Sequence, residues 1–254
     1  MKKVVLILSM LTAFAALLPA QDLYNLSMDD WSKDGKVWYP RAQNATDSQK
    51  VWDTGNKGTI VLGKNVTEPE EEFVAVPGPG KRAARLRSEF IGILGIGKFA
   101  SACLYTGKFN KVQGMEGASF YFGVPSSRRP KSLHGYYAFK PGKINYAAKS
   151  KASLKGTMDH GHIEVYVATW KEPFLIDNTK GLGLDPNSPE VIGYGVLDLS
   201  TATDGYVEFD IPVVYKNEKT PTYFGIMAAS SKWGDVFTGS TDSILYLDEL
   251  EVRY

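Results

Sequence analysis

The chain has 254 residues, 29 Lys and Arg against 28 Asp and Glu, and 43% apolar and 12% aromatic residues. That apolar content supports a packed core and excludes global disorder, while a net charge of +1 leaves no basic footprint for nucleic acid or anionic lipid. A single cysteine, Cys103, excludes an intramolecular disulfide, a multi-cysteine zinc site and an iron–sulfur cluster, and three histidines place a His-rich metal centre hardly better.

Lys2 and Lys3, then an apolar charge-free stretch over 4–18 and the small residue Ala20, read as a secretory signal over 1–20. Its removal takes the net charge from +1 to −1. The apolar run is short for a membrane span. The expected product is a soluble protein of the periplasm or cell exterior, with no membrane insertion after cleavage. Residues 21–50 are irregular and are expected to pack on the domain formed by 51–254.

From there on, short runs rich in β-branched and aromatic residues are broken by Gly, Pro, Asn or Asp. They predict strands at 59–63, 72–76, 83–88, 100–106, 118–124, 133–141, 162–170, 191–199, 206–214, 222–229 and 243–254. This spacing predicts an all-β chain folded as a single β-sandwich or jelly roll. Within 162–170, Ile163, Val165 and Val167 alternate with His162, Glu164, Tyr166, Ala168 and Trp170, so the first set belongs to the core and the second to a more polar face. In the last strand, Leu245 and Leu247 hold one parity and Leu250, Val252 and Tyr254 the other, which places a β-bulge near Asp248-Glu249. Residues 171–190 read as a long loop of the kind that often carries function.

Five groups of residues stand out in order: Val51-Trp52-Asp53-Thr54-Gly55-Asn56; Gly123-Val124-Pro125 with Arg129-Pro130; Leu133-His134-Gly135-Tyr136-Tyr137 running to Lys140-Pro141-Gly142; Ser230-Ser231 with Trp233-Gly234-Asp235, Phe237 and Gly239; and Leu245-Tyr246-Leu247-Asp248-Glu249-Leu250. Together they resemble the putative carbohydrate metabolism (PCMD) domain of Bacteroidetes-type secreted proteins, over about 25–254. The resemblance implies a galactose-binding-like β-sandwich, similar to carbohydrate-binding modules and tied to glycan use. It transfers no catalytic residues. It also raises a structural calcium near the terminal strands, for which Asp248 is the candidate ligand. Asp177, Asn178, Asp185 and Asn187 supply further hard oxygen atoms at a spacing unlike an EF-hand.

Sugars are bound by aromatic rings stacking on their C–H faces while carboxylates, amides and Arg hold their hydroxyls. The candidate contacts are accordingly Trp52, Tyr137 and Trp233 as rings and Arg129 and Asp235 as polar anchors, with the 230–239 loop and the 133–141 strand bordering one concave site. The leading expectation is a secreted, non-catalytic carbohydrate-binding protein whose partner is an oligo- or polysaccharide. A glycoside hydrolase or lyase on the same fold, and a structural or adhesion protein, stay open as alternatives. No Gly-x-Ser-x-Gly elbow, HExxH or phosphate loop occurs.

Overall fold

Alternating apolar and polar residues, interrupted every few positions by a turn former, produce strands and little else. The computed structural model describes residues 23–254 apart from Gly95 and Met115; the predicted signal, 1–20, lies outside them. The strands are β1 (Ser32–Asp34), β2 (Val37–Tyr39), β3 (Trp52–Thr54), β4 (Thr67–Glu70), β5 (Ala83–Arg87), β6 (Glu89–Ile93), β7 (Ile96–Ala100), β8 (Cys103–Val112), β9 (Ala118–Phe122), β10 (Val124–Pro125), β11 (Ser132–Lys140), β12 (Gly161–Ala168), β13 (Phe174–Asp177), β14 (Val191–Leu199), β15 (Val207–Pro212), β16 (Val214–Tyr215), β17 (Tyr223–Ala229) and β18 (Ile244–Arg253). All their pairings are antiparallel.

Two sheets make the sandwich. The larger runs β13-β9-β8-β17-β12-β14-β16, with β3 added beside β8 and β10 beside β17; the smaller runs β15-β11-β18-β5-β4. Between them lie Leu104, Ile163, Val165, Val167, Phe224 and Ile226 from the larger sheet and Leu86, Leu133, Phe139, Phe209, Leu245 and Leu247 from the smaller. Each such side chain stabilises the fold by roughly 1.5–3 kcal/mol on burial. The expected all-β sandwich is therefore the observed architecture; in β12 the predicted core set Ile163, Val165 and Val167 is buried between the sheets, while only His162 and Glu164 of the other set stay partly exposed and Tyr166, Ala168 and Trp170 are buried. The opposite parity of the same strands builds a second cluster on the outer face of the larger sheet: Tyr105, Phe122, Tyr166, Trp170, Tyr223 and Met227. β6 and β7 pair only with each other and form a hairpin apart from both sheets.

The bulge near Asp248-Glu249 is present. His134 pairs with Glu251 but Tyr136 pairs with Asp248, so Gly135 faces two residues of β18. Glu249 takes a left-handed φ of 45° there. Three contacts hold it: Asp248 Oδ1 accepts the Glu249 amide at 2.9 Å, Lys81 Nζ reaches Glu249 Oε1 at 2.5 Å, and the Leu250 amide donates to the Leu26 carbonyl at 2.8 Å. That last bond, with Met28 and Trp31 buried in the core, ties the segment before β1 onto the sandwich.

Three local expectations fail for identifiable reasons. Residues 59–63 end a helical turn (α1, Asn56–Thr59) and a 3₁₀ turn (Ile60–Leu62), closed by Gly63 at φ 76°. Residues 72–76 are not a strand, because Glu70 Oε1 accepts the amides of Glu71, Glu72 and Phe73 and bends the chain just after β4. The segment 171–190 is not structureless, since it contains β13, which pairs with β9 at the sheet edge.

A Cβ on Gly135 would meet Leu250 Cδ2 at 2.7 Å and the Phe209 ring at 3.2 Å. Gly135→Ala should therefore destabilise the protein by about 1–3 kcal/mol, as overpacking does; an unchanged denaturant midpoint would show that the bulge yields freely. Burial pushes the Asp248 carboxyl up to about 6, although the Ala75 and Glu249 amides favour its charged form. With the folded pKa above the ordinary 3.8, its contribution to stability is complete below about pH 4 and is lost as pH rises through about 6. The wild-type advantage over Asp248→Asn should thus shrink by up to about 3 kcal/mol between pH 4 and pH 7, read from urea midpoints at each pH.

Candidate functional site

A cavity of about 620 Å³ opens on the outer face of the larger sheet. Its floor comes from three neighbouring strands: Cys103 and Tyr105 of β8, Met227 and Ala229 of β17, and His162, Glu164 and Tyr166 of β12. Strand period supplies these side chains, because every second residue of a strand whose other face builds the core must point here.

Glu164 is the fixed charge on this floor. Tyr166 and Tyr194 are cross-strand partners, with ring centroids 5.0 Å apart. Tyr194 Oη donates to Glu164 Oε1 at 2.8 Å and Tyr166 Oη to Oε2 at 3.4 Å. Burial, then the Glu164 charge, pushes both tyrosine hydroxyls well above their usual range, so they remain donors. Burial lowers the pKa of His162 against the opposing pull of Glu164, which favours the neutral imidazole. Burial likewise pushes the Cys103 thiol up to about 12, so it is no thiolate nucleophile.

One wall is the 230–239 loop, which follows β17 and carries Trp233, Asp235 and Phe237. A buried carboxylate positions it. Asp159 Oδ2 accepts Ser231 Oγ at 2.6 Å, the Ser240 amide at 2.7 Å and Ser243 Oγ at 2.9 Å, while Oδ1 accepts the His160 amide at 2.9 Å. Gly234 is required because a Cβ there would lie 2.1 Å from Ser101 Cβ. Trp233 stands half-buried beside His160, ring centroids 5.5 Å apart. Lys98 of β7 places its ammonium 4.1 Å from the Phe237 ring centre, joining the loop to the β6–β7 hairpin. Lys232 is held at 2.5 Å by Asp198 of β14. Ile176, Asn178 and Leu184, from the segment that sequence alone reads as a loop, also line the cavity.

Of the candidate sugar contacts, Trp233 and Asp235 line this cavity and Trp52, Tyr137 and Arg129 lie elsewhere; Asn178, one of the hard oxygen donors, lines it too. Trp52 is 1% exposed in the inter-sheet core, its indole donating to the Tyr24 carbonyl at 2.8 Å. Tyr137 belongs to the smaller sheet and packs on the core beside Phe209. Arg129 donates to the Asn217 and Lys219 carbonyls and lies 3.9 Å over the Tyr215 ring. The 133–141 strand and the 230–239 loop therefore do not border one site. Core packing competes for the same aromatics that bind sugars, and here it claims Trp52 and Tyr137. Asp248 uses Oδ2 for the Ala75 amide at 2.7 Å and Oδ1 for the Glu249 amide, and among the described residues no three His, Cys, Asp or Glu side chains converge. Such a setting fits a clamp on the bulge. The sequence pattern places His162, Glu164 and Tyr166 on the more polar face of one strand without marking them, or Tyr105, as site residues. Their signal was present: a His, a Glu and a Tyr at alternate positions of one strand.

Over residues 27–253 the sequence matches the family described as "Putative carbohydrate metabolism domain". No curated protein matches it. A protein of Bacteroides thetaiotaomicron VPI-5482, called a putative glycoside hydrolase, is 22% identical with a TM-score of 0.68, over 91% of this chain and 70% of that one. A second putative glycoside hydrolase, from Bacteroides vulgatus ATCC 8482, is 20% identical with a TM-score of 0.65, over 88% and 94%. At these identities the likeness is one of fold.

Asp159→Ala would leave four donors without their acceptor in a buried setting. A loss of at least about 3 kcal/mol is expected, together with faster amide exchange over 231–243. Unaltered exchange in that segment would show that the loop is held by other means.

Proposed function

Because this chain belongs to the putative carbohydrate metabolism domain family, we propose that it binds saccharides in the cavity on the outer face of its larger sheet, as a secreted carbohydrate-binding protein. The observation that carries this reading is the composition of the cavity. Aromatic rings on a shaped wall face a carboxylate that two tyrosine hydroxyls orient. Trp233 and Phe237 suit the C–H faces of a sugar ring, and Glu164, His162 and Asp235 suit its hydroxyls. A volume of about 620 Å³ is in the range of small-ligand sites, which favours the end or a short segment of a glycan over a long flat chain. The N-terminal Lys2-Lys3 and the apolar stretch behind them support secretion.

A second reading, glycoside hydrolysis, draws on one further observation. Glu164 and Asp235 line the same cavity, and the charge of each acts on His162. Two carboxylates roughly 5–10 Å apart on either side of the scissile bond are what such hydrolysis needs. Release of reducing ends from a bound glycan, abolished by Glu164→Gln, would establish hydrolysis. Binding without release leaves the binding reading.

Binding of residues 21–254 to a glycan array tests the proposal. Trp233→Ala should weaken the strongest interaction by roughly 1–3 kcal/mol while leaving the melting temperature within a degree or two of wild type. A sharp fall in melting temperature with unchanged affinity would make Trp233 a packing residue and put the site elsewhere.

A further inference from the structure

His162 and Glu164 are alternate residues of β12 and project from one face of it into the cavity, about 7 Å apart along the strand. Both are partly exposed there. Neither ring nitrogen of His162 has a hydrogen-bond partner among the described residues. In its neutral form the ring offers one donor and one acceptor to whatever enters. Glu164 accepts two tyrosine hydroxyls and keeps a lone pair on each oxygen, yet it makes no ion pair among the described residues.

The other charged groups of the lining stand on its walls, and of its three lysines only Lys232 has a carboxylate partner among the described residues. Lys232 is bound to Asp198, and Lys98 sits over the Phe237 ring. Asp235, on the loop above, adds a second negative group, and Lys151 stands on the lining as a remaining cation. The floor therefore holds an uncompensated carboxylate beside an unpartnered imidazole.

We infer that the His162–Glu164 face is a hydroxyl-reading subsite selective for uncharged sugar rings and closed to sugars that carry a carboxylate. This rests on the saccharide reading of the cavity and names its substrate class. A sugar hydroxyl donates to Glu164, a second donates to the unprotonated ring nitrogen of His162, and the ring N–H donates to another oxygen of the saccharide. A uronate brought to the same place meets a like charge in a partly desolvated setting, and neither group can offer its carboxylate a compensating cation. Selection thus comes from repulsion as well as attraction.

Calorimetric titration with neutral cello-, xylo- and manno-oligosaccharides, set beside oligogalacturonate, decides the matter. Wild type should bind at least one neutral series and not the oligogalacturonate. His162→Phe keeps a flat aromatic ring and removes both nitrogens; it should lose roughly tenfold or more in affinity, with part restored in His162→Gln. Glu164→Gln should also weaken the neutral sugar by roughly tenfold and narrow the discrimination against oligogalacturonate. Should His162→Phe fail to fold, His162→Ala replaces it. Undiminished neutral binding in the His162 variants, where Trp233→Ala loses it, overturns this inference and leaves the saccharide reading intact. Preference of wild type for oligogalacturonate overturns it too. Wild type binding none of these sugars overturns the saccharide reading and this inference together.

Discussion

A single buried carboxylate, Asp159, holds together the crossing between the two sheets, where strand pairing gives no support. β17 ends in the larger sheet and β18 begins in the smaller, so the chain between them must cross the edge of the sandwich. That crossing is mostly Ser, Gly, Thr and Asp, with Trp233, Val236 and Phe237 as its only apolar side chains. Asp159 substitutes for a hydrophobic anchor. It gathers Ser231 at the start of the crossing and Ser240 and Ser243 at its end, and Ser243 in turn accepts the Gly142 amide from the end of β11. An ionised carboxylate suits the position because all of its contacts are donors, whereas an amide would have to turn its own N–H groups toward one of them. Burial raises the Asp159 pKa nonetheless, the sign of a charge kept in a poor solvent by local hydrogen bonds.

The consequence is a rigid support for a wall that would otherwise be a mobile loop. Trp233 and Phe237 stand on the short stretch between the two anchored ends, so Asp159 helps set their position over the sheet, together with their own contacts to His160 and Lys98. Phe237 even takes a left-handed φ of 55°, a conformation that persists only where the surroundings over-determine it. Below them, the floor draws its order from the sheet itself. Cross-strand pairing of Tyr166 with Tyr194 brings two hydroxyls onto Glu164, and the surrounding aromatic cluster partly excludes water, which strengthens those bonds. Wall and floor are thus fixed by independent means, one by a polar tie and the other by strand register.

The residues most recognisable in the sequence serve mainly to build this frame. Asn56 is fully buried and satisfies four backbone groups, accepting the Val66 and Thr67 amides and donating to the Trp38 and Thr67 carbonyls. Gly135 makes room for the bulge, and Gly142 and Gly239 permit close approaches to Ser240 and Phe99. Such positions tolerate few alternatives and therefore give a family its motifs. The cavity floor has no comparable constraint of geometry, and Glu164 and His162 sit within an ordinary alternating strand. A motif-led reading of the sequence consequently leads to the scaffold first and reaches the site only through the 230–239 loop.

What the sequence by itself determined was the class of fold, the inward and outward parity of β12 and the bulge in β18. These follow from period-two patterning, a local property that any stretch of a few residues displays. It did not determine which outward face would become a cavity, because that depends on what lies over each face. The β6–β7 hairpin, the edge strand β13 and the crossing tied by Asp159 are far apart in the chain, and only their convergence on one sheet separates an enclosed Glu164 from a solvated one. Nor could it separate Trp52 from Trp233, two tryptophans each set beside an Asp in polar surroundings. Trp52 is core because β3 adds to the edge of β8 and turns its indole inward; Trp233 faces the cavity because a glycine beside Ser101 and a carboxylate 74 positions earlier in the chain hold its loop open.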